Sequence, residues 1–185
     1  MNIFLLANNH CPIKSAQELC NKHSSRMPLE TAGMLLYAFP EDVIKPIPVN
    51  YRNAHYNHPA SIWTRSSRSN IEWLILHGIS QCEEYTRRYK RRHDSQNTIE
   101  WVEQNYKYIN FPIEELTNYA RCFGPYTSVL NNDNIDSLTA YRKFYWLDKR
   151  NFARWPSKKY IPEWWPDISD SYVDKNFING IYSKR

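Results

Sequence analysis

Apolar residues recur at helical spacing along most of the chain. Residues 3–7 are the exception: a short apolar run, stopped by Asn8-Asn9-His10, that predicts one buried strand or extended segment entering the core early. From Pro12 or Ser15 a helix opens that carries Ala16, Leu19, Cys20 and His23. Pro28 has no amide donor and either kinks this helix or starts a new one, which puts Glu30 in the first turn beyond it. The longest periodic stretch starts at a Ser66 or Ser67 cap. It holds Ile71, Leu74, Ile75, Gly78, Cys82, Tyr85 and Tyr89 at helical spacing to about His93 and predicts a central helix. Residues 98–106 predict a shorter helix. Asp136 or Ser137 caps another, running to about Trp155 with Leu138, Tyr141, Tyr145 and Phe152 on one face.

The pattern predicts a mainly α fold: one compact helical domain over 1–155, with a kinked N-terminal helix and a long central helix. Residues 156–185, with Tyr160, Trp164 and Trp165, read as an extended tail packed over it by aromatic rings. Residues 40–59 are rich in Pro, Asn, His and Tyr, which suits a long ordered loop better than a flexible linker.

Composition narrows the function. Four glycines, none close enough to another to form a phosphate-cradling loop, exclude Walker-type kinases and dinucleotide oxidoreductases. Four dispersed cysteines suit a reduced, cytoplasmic protein, and Cys11, Cys20 and His23 with His10 match no common zinc spacing, so no metal and no cofactor are expected. The first residues lack a basic leader and nothing reaches the length of a membrane span, so a soluble monomer away from membranes is expected. With 24 Lys+Arg against 19 Asp+Glu the formal charge is +5, which makes a polyanionic partner plausible without requiring one.

Three constellations carry candidate chemistry. Residues 87–93, with Arg87, Arg88 and Arg91, put five formal charges at a helix C-terminus, either as phosphate contacts or as a solvated helix end. Arg142, Lys143, Lys149, Arg150, Arg154, Lys158 and Lys159 interleave with Phe144, Tyr145, Trp146 and Trp155, which suits a stacking groove or a core with charged edges. Asn57-His58-Pro59, Trp63, Arg65, Ser66, Ser67, Arg68 and Asn70 gather hydrogen-bonding groups before the central helix, as an anion site or as a structural junction. No nucleophile elbow and no reactive-cysteine signature is present, leaving an amine or a carboxylate as the reactive group.

The order Lys22-His23, Arg26, Glu30, Asn57-His58-Pro59, Trp63, Arg65, Cys82-Glu83-Glu84-Tyr85 and Arg88-Tyr89 resembles the phage-type pyrimidine-dimer DNA glycosylases of the endonuclease V type. In that family a His precedes the catalytic Glu by the interval that separates His23 from Glu30, and Pro28 is similarly placed. The resemblance implies a nucleophilic α-amine, here that of Met1 because Asn2 is too large for methionine removal, with Glu30 as its carboxylate partner. It implies a DNA glycosylase with abasic-site lyase activity acting on double-stranded DNA that carries a damaged or modified base. The expected DNA contacts are Lys22, His23, Arg26, His58, Arg65, Arg68, Asn70, Arg87, Arg88, Arg91, Trp164 and Trp165. The family's two arginines flanking the Glu fall on Leu29 and Gly33, leaving Arg26 as the nearby substitute.

Two rival readings stay open. One is a phage DNA- or nucleotide-modifying enzyme working through His58, Arg65 and Asn70. The other is a non-catalytic protein that binds nucleic acid or a host factor through its basic and aromatic surfaces.

Overall fold

The computed structural model describes residues 1–40, 43 and 55–167. The architecture is mainly helical, with no strand among the described residues. Residues 3–7 form the extended alternative of the two foreseen and are buried from Ile3 to Ala7. Two of their amides, those of Leu6 and Ala7, donate to the Ser15 hydroxyl at 3.1 and 3.0 Å, so the arm is held by a side chain rather than by a partner strand.

Helix α1 spans Pro12–Gln17 and α2 spans Asn21–Leu36. The interruption falls at 18–20, and α2 runs through Pro28 unbroken. Glu30 therefore lies well inside α2, not in a first turn, and the helix dipole does not account for it. The break comes early because tertiary bonds use its backbone groups: Cys20 N donates to the Tyr145 hydroxyl at 2.9 Å and Asn21 N to Arg154 O at 2.7 Å.

Helix α3 (Pro59–Ser66) leads into the central helix α4 (Arg68–Tyr89), which stops at Lys90 in a left-handed conformation (φ 58°), earlier than His93. Around α4 pack α1, α2, α3 and α5 (Gln96–Asn105). The crossing is closest at Gly78, where a β-carbon would lie 2.7 Å from Thr31 Cγ2 and 3.1 Å from Ile99 Cδ1. Short α6 (Thr127–Leu130) precedes α7 (Ser137–Lys149), whose Asp136 cap accepts from Thr139 N at 2.9 Å, and α7 ends before Trp155.

The rings of Trp164 and Trp165 pack against Tyr145 and Trp155, and residues 156–167 are not simply extended: a 3₁₀ turn covers Lys158–Tyr160 and α8 covers Trp164–Asp167. The foreseen loop at 40–59 and the tail beyond 167 lie largely outside the described residues. Among the described residues, no helix is long and apolar enough to cross a membrane. All four cysteines are free thiols, and no group of three or more His, Cys, Asp or Glu side chains gathers among the described residues.

Candidate active site

The buried arm delivers Met1 to the flank of α2. That helix places Lys22, His23, Arg26 and Glu30 on one side, because positions three and four apart share a face. These residues line one open cleft of about 720 Å³ together with Met1, Phe4 and His58. Its far wall comes from 121–125, Phe144, Lys149 and Phe152.

The α-amine of Met1 lies 3.5 Å from Glu30 Oε2, while Arg26 Nε donates to Glu30 Oε1 at 3.2 Å. One carboxylate oxygen is thus oriented by an arginine and the other faces the amine. Glu30 keeps 21% side-chain exposure, so solvent or a ligand reaches it.

His58 caps α3: its Nδ1 accepts from Ala60 N at 3.2 Å, which leaves the proton of the neutral ring on Nε2. Burial, then the Met1 ammonium and His55, hold its pKa below the ordinary value, and Glu30 opposes them. His23 is held down to about 3 by burial, with Lys149 and Lys22 adding to it. Its Nδ1 shares a hydrogen bond with the Tyr145 hydroxyl at 2.8 Å, the same hydroxyl that accepts from Cys20 N, and its ring stacks on Phe4 with centroids 4.7 Å apart. Burial pushes the Cys122 thiol up to about 11 and removes it as a nucleophile. Cations sit over the aromatic floor, with Lys22 Nζ 4.4 Å from the Phe152 centroid and Lys149 Nζ 5.2 Å from that of Phe144.

Met1, Lys22, His23, Arg26, Glu30 and His58 are therefore brought together, and the other expected contacts are not. Asn70 is fully buried and ties Trp63 O, Ser66 and Thr117 together, so it offers nothing to a ligand. The N-terminus of α4 is no open anion site: Arg68 N and Ser69 N donate to Ile113 O and Glu114 O at 2.9 and 3.1 Å. Arg68 pairs with Glu114, and Arg65 stacks 3.9 Å over Tyr56. Arg87 and Arg88 both grip Glu84, Arg88 is 2% exposed in its side chain, and Arg91 donates to the Tyr85 hydroxyl. Trp164 is buried with its Nε1 on Glu18 at 2.7 Å, and Trp165 packs edge-on against Trp155 and Tyr145. Phe144 and Lys149 of the basic–aromatic cluster do reach the cleft, and what the sequence reading missed is the 121–125 part of the far wall. Arg121, Cys122 and Phe123 lie in an irregular stretch with no period or motif, and no local signal marks them.

A mainly helical body sets an amine, a carboxylate and cations around one cleft. The family described as pyrimidine dimer DNA glycosylase matches residues 1–97, more than half of the 185, and the chain belongs to it. Membership implies glycosylase and abasic-site lyase function in DNA repair, with DNA as the partner. No curated protein and no solved structure matches the chain.

Proposed function

We propose that Met1 and Glu30 carry the reaction: N-glycosidic cleavage in double-stranded DNA at a damaged or modified base, followed by a nick at the resulting site. The observation that carries this reading is the 3.5 Å approach of the α-amine to Glu30 Oε2 inside a cation-lined cleft.

The amine lone pair attacks the sugar C1′, and the base departs with the electron pair of the glycosidic bond. Glu30 accepts the proton that the new C–N bond releases and returns it to O4′ as the sugar ring opens to the imine, while the departed base takes its proton from water. Loss of a C2′ proton then expels the 3′ phosphate by β-elimination, and water hydrolyses the imine to regenerate the amine. Arg26 keeps one Glu30 oxygen occupied, so the other is the one that exchanges protons. Lys22, Arg26 and Lys149 meet the phosphates around the sugar, and His23 and His58 enter as neutral rings that add no charge beside the amine. The reading centred on His58, Arg65 and Asn70 loses its third member to burial.

Borohydride reduces an enzyme–DNA imine to a stable secondary amine, so a covalent adduct marks the residue whose amine formed it. Trapping on an abasic-site duplex is expected to give a covalent adduct on the N-terminal peptide, abolished by prior N-terminal acetylation. An adduct that survives acetylation overturns the assignment of Met1.

A further inference from the structure

We propose that Asn2 is a positioning residue for the reaction, a clamp that aims the Met1 amine at Glu30; this rests on the amine being the nucleophile. Asn2 is 6% exposed and sits at the head of a fully buried apolar run, a place where a bare amide is costly. Its side chain is used at both ends. Oδ1 accepts from Ile3 N at 2.9 Å and from Phe4 N at 3.3 Å, and Nδ2 donates to Cys122 O at 2.7 Å. The first pair folds the arm into a turn directly after residue 2. The last bond ties that turn to the far wall of the cleft, opposite α2.

A second observation supports the clamp. Phe4 has φ 40°, a left-handed conformation that aromatic residues rarely adopt and that persists only where the surroundings impose it. Its ring is held between His23, stacked at 4.7 Å, and Tyr145, edge-on at 5.1 Å. The arm is therefore fixed on both sides of Asn2, and few torsions remain between the clamp and the amine. An apolar residue at position 2 would bury as well, but it would leave the direction of the amine open. Small misplacement of a reacting group is expensive in rate, which is what a clamp prevents. The ionisable groups nearest the amine are Glu30 and Arg26 from α2, His58 before α3 and the Cys122 thiol on the far wall, and the same cleft is lined by Lys22 and His23 from α2, Arg121 from the far wall, and Asp148 and Lys149 from α7.

The test uses the full chain, with Met1 retention checked by intact mass, and compares Asn2→Leu, large enough to keep Met1, and Asn2→Asp with the parent. Three quantities are measured: borohydride trapping on an abasic-site duplex across pH, affinity for the same duplex bearing a reduced abasic sugar, and the thermal midpoint. Asn2→Leu is expected to trap at least about 10-fold more slowly, with affinity within about twofold and the adduct still on the Met1 peptide. Asn2→Asp keeps the two acceptor bonds but sets an anion beside the amine and against Cys122 O. It is expected to shift the trapping midpoint to higher pH, because an anion favours the ammonium form. If Asn2→Leu does not fold, the isosteric Asp variant carries the comparison. Parent-like trapping rates and midpoints in the folded variants overturn the clamp while leaving Met1 as nucleophile. An unreactive parent overturns the nucleophile itself, and the clamp with it.

Discussion

The exposed face of α2 and the C-terminal end of α4 carry much the same side chains in different states. At the end of α4, Glu84 is 4% exposed between Arg87 and Arg88, and Arg88 also reaches Asn21 Oδ1 at 3.2 Å and Gln17 O at 3.1 Å. Arg92 is taken up by Asn97 and Glu100, and His93 donates to Ser25 O at 3.1 Å. On α2, Glu30 holds one arginine that is itself 70% exposed, and its other oxygen looks into an open cleft toward an amine. A carboxylate whose partners fill every side is a staple between helices. One with an open side is available for chemistry. The difference lies in the neighbours, not in the residue types.

If the α4 cluster is a staple, Arg88→Gln costs folding stability rather than DNA contacts. Removing the most buried partner of Glu84 is expected to lower stability by about 3 kcal/mol, read by urea unfolding. A variant of parent stability with weakened DNA binding would return Arg88 to the interface. At the other pole, Glu30→Gln is expected to keep DNA affinity within a few-fold and lower turnover by about 10² or more. Single-turnover cleavage checks this, and unchanged turnover would make Glu30 a structural acid like Glu84.

The neutral histidines sharpen the contrast through pH. His23 and His77 are held near about 3 and about 4, chiefly by burial, so between those values and about 6.5 the unfolded chain binds protons that the folded chain refuses. Stability is therefore complete above about pH 6.5 and is lost as pH falls, by about 1.4 kcal/mol per pH unit for each ring, with His77 levelling near 4 and His23 near 3. Urea unfolding at pH 7 and pH 5 measures it, and equal stabilities at the two values would show that both rings charge without unfolding the protein. Gly78→Ala asks whether α2 is held rigidly against α4. The added methyl must displace Thr31 or Ile99, at a cost of about 1–2 kcal/mol that exceeds the helix-propensity gain. A thermal midpoint at or above that of the parent would mean the crossing relaxes. The smallest effect is expected from Arg91→Gln with Arg92→Gln: a salt slope of DNA binding unchanged from the parent. A loss of about one unit per contact would show that phosphates do reach this end.

The helices were legible because burial of an amphipathic stripe leaves a period in the chain. Ile71, Leu74, Ile75, Gly78, Cys82 and Tyr85 announce α4, and Asp136 announces the start of α7. The family resemblance names Lys22, His23, Arg26 and Glu30, with Glu30 expected beyond a break at Pro28; the unbroken α2 is what sets the four on one helical face, and the match of residues 1–97 to the family rests on that half of the chain. The sequence therefore determined the helical class, one wall of the cleft and its amine–carboxylate pair. Tertiary structure alone decided which charges are free, because pairing of Glu84 with Arg88, or of Arg68 with Glu114, depends on what packs beside each helix end. It also decided the break at 18–20, set by Tyr145 and Arg154 from far along the chain, and the far wall at 121–125, where an irregular backbone is ordered by contacts with the arm rather than by any period of its own.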